Sequence, residues 1–151
     1  MLAYVEGLPI PSSSSFFTKL ASEYLGGGCV KCCSSIKDSI FIKKINLKGY
    51  VLNFRSKYRA ADIEKKNNSI VPGGLYEISK SDEKKLDIYE DYPILYKKMY
   101  FKYYNKTVMT YIMPKKTIFR YPTERYLNVV KQGYKDCKLD QKYLKKALVN
   151  F

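Results

Sequence analysis

The pattern of apolar and polar residues changes near residue 39. Before it, Pro, Ser and Gly interrupt the chain, and only TKLASEYL (18–25) indicates a short helix. After it, segments rich in β-branched and aromatic residues predict strands. These segments are SIFIKKI (39–45), YVLNF (50–54), IVPGGLYEIS (70–79), LYKKMYFKYY (95–104) and TVMTYIM (107–113). A length of 151 residues suits one domain spanning 1–151, in which 1–35 form a divergent N-terminal segment.

A first helix is predicted between the third and fourth strand segments. SKSDEKKLDIYED (79–91) begins with Ser79 and Asp82 in the spacing of a capping box, and the helix must end before Pro93. Because Leu86 in this segment is apolar, its face of the helix should point into the core.

Two further helices are predicted at the end of the chain. TERYLNVVKQG (123–133) offers Thr123 as the N-cap and Gly133 as the residue that follows the helix. LDQKYLKKAL (139–148) has Asp140 as a cap and repeats leucine at i, i+4. Strands first, one helix between strands and two terminal helices predict an α+β fold, with a mainly antiparallel, β-barrel-like sheet and flanking helices.

The net charge of +14 suggests an anionic partner such as nucleic acid. KKMYFKYYNK (97–106) mixes lysines with aromatics, and such a hairpin could contact phosphates and stack on bases. Most lysines are nevertheless dispersed singly or in pairs, as on an ordinary Lys-rich surface. A basic nucleic-acid-binding module is therefore an alternative that we do not favour.

Several classes of protein are made unlikely by what the sequence lacks. It contains no histidine, which excludes His-based triads and imidazole metal sites. Cys29, Cys32, Cys33 and Cys137 are too few and too poorly spaced to favour zinc, so reduced thiols are expected. With neither a secretory signal nor an apolar run of membrane-spanning length, we expect a cytoplasmic protein without membrane association.

The acidic residues of the first predicted helix include a candidate general base. Glu90 lies four residues after Leu86 and therefore faces inward, whereas Asp87 and Asp91 are better placed for solvent. Burial and the negative end of the helix dipole would both raise the pKa of Glu90, as a general base near neutral pH requires. The alternative is a frayed helix end with three exposed acids.

Four blocks of sequence, taken in order, resemble the gamma-glutamylcyclotransferase-like (AIG2-like) family over roughly residues 36–148. They are LKGYVLNF, ADIEKKNNSIVPGGLYEIS, LDIYEDYPILY and YPTERYLNVVKQGYKDCKLDQKYL. In that family a Leu-Asp-x-x-Glu segment followed by Pro and Tyr carries the catalytic glutamate, and a Pro-Ser-x-x-Tyr segment opens a helix beside the active site. The resemblance implies that Glu90 is the catalytic acid/base and that Tyr96 and Tyr126 bind substrate.

The same resemblance implies a reaction. A γ-glutamyl amino acid or amine would be cyclised to 5-oxoproline, releasing the amino acid or amine, with no metal or cofactor. The partner would be a small γ-glutamyl molecule, and neither its leaving group nor the oligomeric state follows from the sequence. The chemistry suits Glu90, because nucleophile and electrophile are tethered in one substrate and the remaining needs are proton transfer and an oxyanion site.

The N-terminal segment departs from the family pattern. The family's first strand ends in Tyr-Gly-Ser-Asn-Leu, whose backbone amides bind the γ-glutamyl end of the substrate. Here Tyr4, Val5, Glu6, Gly7 and Leu8 are the matching candidates for substrate binding. Val5 would stiffen a turn that Gly leaves open, and Glu6 would repel a carboxylate. A family-fold protein that binds γ-glutamyl or acidic ligands without turnover is therefore a second hypothesis.

Overall fold

The computed structural model describes residues 1–5 and 39–149, and within them the chain forms five strands and three helices. In chain order these are β1 (Leu2–Val5), β2 (Ile40–Asn53), β3 (Asp62–Glu77), α1 (Lys80–Tyr89), β4 (Lys97–Tyr103), β5 (Lys106–Ile112), α2 (Glu124–Asp136) and α3 (Gln141–Val149). The order confirms the predicted α+β class, with one helix between strands and two at the end.

The five strands form one sheet in the order β2-β3-β1-β5-β4. All neighbouring pairs are antiparallel except β1 and β5, which run parallel. The sheet is therefore mainly antiparallel, as predicted. Within the described ranges the strands form an open sheet, with β2 and β4 at its two edges.

The β2–β3 pair is longer than the sequence pattern indicates. The predicted break at Gly49 is a bulge inside one continuous strand, where the register shifts and the glycine adopts a φ of 78°. Strand β3 begins at Asp62, well before the predicted 70–79, because its exposed middle (65–68) is polar and shows no apolar alternation.

The predicted start and end of α1 are confirmed. Ser79 is the N-cap, and its Oγ accepts a hydrogen bond from the Asp82 N–H at 3.0 Å. The helix ends before Pro93, with Glu90 as the C-cap residue.

The start of α2 is confirmed, but its predicted end is wrong. Thr123 Oγ1 accepts a hydrogen bond from the Tyr126 N–H at 3.3 Å. Gly133 does not follow the helix, which continues to Asp136. Tyr134, the residue after Gly133, is completely buried, so tertiary packing favours continuing the helix over ending it at the glycine.

One hydrophobic core joins the sheet to the helices. Its least exposed apolar members are Phe54, Ile63, Val71, Val108, Met109, Val130, Tyr134 and Leu144. No helix among the described residues is both long and apolar enough to cross a bilayer. The predicted helix 18–25 and Cys29, Cys32 and Cys33 lie outside the described residues, whereas the Cys137 thiol is buried beside the Tyr76 hydroxyl, at 3.3 Å.

Candidate active site

The end of β5 joins α1 to the start of β3. The Tyr111 hydroxyl donates to Asp87 Oδ1 at 2.5 Å, and the Met113 N–H donates to Asp62 Oδ1 at 3.0 Å. Because Tyr111 and Met113 are two residues apart, this short piece of chain holds a carboxylate from the helix and a carboxylate from the strand. A cluster of acids from two elements, α1 and β3, is thereby held by the end of β5.

Glu90 lies at the end of α1, within this cluster. Its N–H donates to the Leu86 carbonyl at 2.8 Å, and Leu86 is buried, so the predicted inward face of the helix is confirmed. Glu90 itself is partly buried. Desolvation, and secondly the negative charge of Asp62, raise the pKa of the Glu90 carboxyl from 4.5 to about 8. The carbonyl end of the helix acts in the same direction.

Asp62, the first residue of β3, is completely buried. Its Oδ1 accepts from the Met113 N–H, and its Oδ2 forms a salt bridge with Lys116, which also donates to the Ile63 carbonyl at 2.8 Å. Burial raises the pKa of the Asp62 carboxyl, while Lys116 and the Met113 N–H oppose that rise. Both carboxylate oxygens of Asp62 are thus fixed in place.

Tyr96 and Tyr126 converge on the residue before Asp62. The Ala61 N–H donates to the Tyr126 hydroxyl at 3.0 Å, and the Tyr96 hydroxyl donates to the Ala61 carbonyl at 3.4 Å. Both tyrosines are buried. The structure therefore brings Tyr96 and Tyr126 to the Ala61 backbone, next to Asp62, whose negative charge contributes to the raised pKa of Glu90.

The prediction that Asp87 faces solvent is wrong, whereas Asp91 is exposed as expected. Asp87 accepts hydrogen bonds from Tyr111 and, at 2.8 Å, from Lys98, and Lys98 also donates to Glu83 at 2.6 Å. Burial alone lowers the pKa of Lys98, but the two carboxylates outweigh it and raise that pKa. Burial, followed by the bond to Asp87, raises the pKa of Tyr111.

The N-terminal candidates are described only in part. The backbone of β1 pairs with β3, placing Tyr4 opposite Leu75 and Val5 opposite Gly74. Glu6, Gly7 and Leu8 lie outside the described residues. Substrate binding by Tyr4–Leu8 stays a prediction.

Sequence reasoning missed Asp62, Lys116 and Tyr111. The available signal was Asp62 in RAADIEKK, an acid whose two neighbours, Ala61 and Ile63, are apolar and buried with it. A single charged residue between apolar neighbours at a strand start suggests a buried partner, but the sequence does not say which residue that is.

This chain is similar to known proteins in sequence and in fold. A family model described as gamma-glutamyl cyclotransferase, AIG2-like, matches residues 30–134. The crystal structure of uncharacterized protein loc79017 from Homo sapiens matches with a TM-score of 0.66 and 16% identity, over 99% of this chain and 87% of that one. A structure named gamma-glutamyl cyclotransferase matches with the same TM-score and identity, over 100% of this chain and 88% of that one. At this identity the two structures show a shared fold. No curated protein matches the sequence.

Proposed function

The chain belongs to the gamma-glutamyl cyclotransferase, AIG2-like family, and we propose that it converts a γ-glutamyl amino acid or amine into 5-oxoproline and the free amino acid or amine. The observation that carries this proposal is the state of Glu90. It occupies the position that the sequence resemblance gives to the catalytic glutamate, and burial with a neighbouring carboxylate raises its pKa to about 8. A carboxyl group with this pKa exchanges a proton readily near neutral pH.

In the first step, ionised Glu90 takes a proton from the α-ammonium group of the substrate. The resulting amine attacks the γ-carbonyl carbon of the same molecule, a C–N bond forms, and the carbonyl electron pair moves onto oxygen. Because attacking and attacked atoms belong to one molecule, orientation by the protein supplies a large part of the rate enhancement.

In the second step, the tetrahedral intermediate collapses. The original C–N bond breaks, and protonated Glu90 delivers a proton to the departing nitrogen. Two protons in total pass from the attacking nitrogen to the departing one, which leaves as an ammonium ion. A single group that both accepts and donates protons near neutral pH can serve each transfer in turn.

The remaining residues have supporting roles in this proposal. Tyr96 and Tyr126 would border the substrate while fixing the Ala61 backbone, to which both are bonded. Backbone amides of Tyr4–Leu8 would hold the γ-glutamyl end and the developing oxyanion. The cytoplasmic location and the identity of the leaving amine stay predictions.

The test is formation of 5-oxoproline from a panel of γ-glutamyl amino acids and γ-glutamyl-lysine, measured by chromatography against the uncatalysed rate. Glu90→Gln should reduce kcat/KM about 10²–10⁴-fold, because it preserves shape but removes the proton acceptor. The matched control is Asp91→Asn, the same chemical change on the next residue, whose side chain is exposed. Its activity should remain within about twofold of wild type.

Two results would reject turnover by this mechanism. A wild-type rate no higher than that of Glu90→Gln would do so, and calorimetry would then distinguish the second hypothesis. Binding of 5-oxoproline or glutamate without turnover would indicate a ligand-binding family member, and an absence of both binding and activity would reject that hypothesis as well.

A further inference from the structure

We propose that a cavity between β2 and the start of α3, here named the lysine cavity, is a second binding site for a small organic phosphate. The cavity has a volume of about 320 Å³, within the range of pockets that hold small molecules. The described residues that line it are Lys44, Ile45, Asn46, Pro72, Lys138, Leu139, Asp140, Lys142 and Tyr143. None of them belongs to the candidate active site, so the inference goes beyond the proposed function and does not depend on it.

The floor of the lysine cavity is apolar. Ile45 and Leu139 are only 5% and 7% exposed, and Pro72 is buried as well. Pairing of β2 with β3 brings two of these residues together, because Pro72 lies opposite Asn46, the residue after Ile45. A buried apolar floor beneath a polar rim can accept the hydrophobic part of a small ligand.

The rim of the cavity is cationic. The lining contains three lysines and one aspartate, which gives it a net charge of +2. Among the described residues no salt bridge includes Lys44 or Lys138, whereas Lys142 is paired with Asp140 at 2.8 Å. A phosphate monoester carries close to two negative charges at neutral pH, and lysines bind phosphate as point charges. A phosphate dianion therefore matches the charge of this rim better than a monocarboxylate does.

Two of the lysines are brought together by the backbone of the α2–α3 connection. The Lys44 ammonium donates to the Lys138 carbonyl at 3.4 Å, which joins β2 to this connection. Lys138 has a φ of 51°, in the left-handed region, at a position after a helix where glycine is usual. This conformation is unfavourable for a lysine. We attribute its presence to the use of the side chain at the rim.

Asp140 makes two contacts that can be separated by substitution. Its Oδ1 accepts a hydrogen bond from the Lys142 N–H at 2.9 Å, and its Oδ2 pairs with the Lys142 ammonium. Asparagine caps a helix about as well as aspartate but carries no charge. Asp140→Asn should therefore preserve the start of α3 while releasing the Lys142 ammonium to contact a phosphate.

The experiment is a ¹H–¹⁵N NMR titration of the full-length protein with phenyl phosphate, which combines a phosphate dianion with one apolar ring. The resonances of 44–46 and 138–143 should shift. Inorganic phosphate lacks the ring and benzoate carries a single charge, so each should bind at least about fivefold more weakly. Equal affinity for benzoate would overturn the assignment to a phosphate, and equal affinity for inorganic phosphate would overturn the role of the apolar floor. An absence of saturable binding below about 10 mM would overturn the proposal as a whole.

Charge variants give the test a direction. Lys44→Gln and Lys138→Gln should each weaken the binding of phenyl phosphate at least about fivefold. The matched control is Lys48→Gln, because Lys48 is exposed on the same face of β2 but does not line the cavity. Its affinity should stay within about twofold of wild type. Asp140→Asn should strengthen binding about threefold.

Two results with these variants would overturn the proposal. Equal losses of affinity in Lys44→Gln and Lys48→Gln would indicate a diffuse basic surface instead of a defined site. Weaker binding by Asp140→Asn would contradict the attraction between the lysines and the phosphate.

Glu90→Gln separates the lysine cavity from the candidate active site. This variant should bind phenyl phosphate within about twofold of wild type, whether or not the wild-type protein forms 5-oxoproline. Loss of binding in Glu90→Gln, or shifts centred on Glu90, would place the probe in the candidate active site and overturn the proposal of a second site. An inactive wild-type protein with shifts at 44–46 and 138–143 would reject the proposed function while supporting this inference.

Discussion

The acids on and beside α1 differ in how their negative charges are compensated. The outer acids, Glu83 and Asp87 on α1, share the ammonium of Lys98, whose side chain is 11% exposed. The inner acids are Glu90 and Asp62. Asp62 is paired with Lys116, whereas among the described residues no salt bridge includes Glu90. The negative charge of Asp62 adds to the rise that burial causes in the pKa of Glu90.

The difference separates carboxylates that are paired with a lysine from a desolvated carboxyl that has no such partner among the described residues. A paired carboxylate retains its charge and helps to fix α1 against β4 and β5. A desolvated carboxyl beside a second acid favours its neutral form, which costs stability at neutral pH but allows proton exchange. The spacing of the two kinds of acid on α1 is only three residues, so the surroundings and not the helix position alone decide which role each takes.

The largest effect on stability should come from removing the cation of the outer acids. Lys98→Met leaves Glu83 and Asp87 uncompensated in a mostly buried setting, and should lower the free energy of unfolding by about 3 kcal/mol. Urea denaturation measures this. Lys97→Met, a change at the exposed preceding residue, should alter stability by less than about 0.5 kcal/mol. Similar values for the two variants would remove the distinction between paired and unpaired acids.

Removing the charge of Glu90 should have the opposite effect and stabilise the protein at high pH. Below pH 4.5 Glu90 is protonated in both the folded and the unfolded state. Between pH 4.5 and about 8 the unfolded chain releases the proton while the folded protein retains it. The free energy of unfolding therefore falls as the pH rises through this window. Glu90→Gln removes this loss. The variant should exceed wild type by about 2 kcal/mol at pH 9 and equal it near pH 4. Urea denaturation across this pH range tests the sign, and a destabilised variant at pH 9 would contradict it.

A smaller loss of stability is expected from removing the tyrosine hydroxyls that bond to the Ala61 backbone. Tyr126→Phe removes the acceptor of the Ala61 N–H and should cost about 1.5 kcal/mol. Tyr96→Phe removes a longer bond, of 3.4 Å, to a carbonyl and should cost less. Thermal unfolding of both variants gives the order, and the reverse order would show that the carbonyl contact is the more important one.

The smallest effect should follow from removing the N-cap of α1. Ser79→Ala should lower stability by about 1 kcal/mol, since the Asp82 N–H loses its partner. The NMR titration midpoint of Glu90 should not change, because Ser79 lies at the opposite end of the helix, about 15 Å away. A change in that midpoint would mean that the inner acids depend on the whole helix and not on the residues around its end.

The sequence predicts those features of the fold and the candidate site that depend on residues close together along the chain. The N-caps Ser79 and Thr123 and the buried position of Leu86 follow from local spacing, and the structure confirms them. Gly133 misled the prediction because burial of the next turn outweighed the local preference of glycine. The solvent-facing role expected for Asp87 was wrong because Lys98, on the following strand, lies against it.

The buried salt bridge of Asp62 lay beyond sequence reasoning for the same reason. Its bonding partners Met113 and Lys116 are 51 and 54 residues away along the chain. The strand that it begins continues through a polar, exposed stretch that resembles a loop. The family resemblance identified Glu90 but gave no indication of the acid that acts on it.

The attachment of Asp62 to the chain beyond β5 has a consequence for folding. These contacts close a loop of more than fifty residues that contains all of α1 and β4, and closing so long a loop carries an entropic cost. No contiguous fragment that ends before Met113 can reproduce the environment of Glu90. A raised pKa of this one carboxyl would therefore require that the chain beyond β5 has docked against β3.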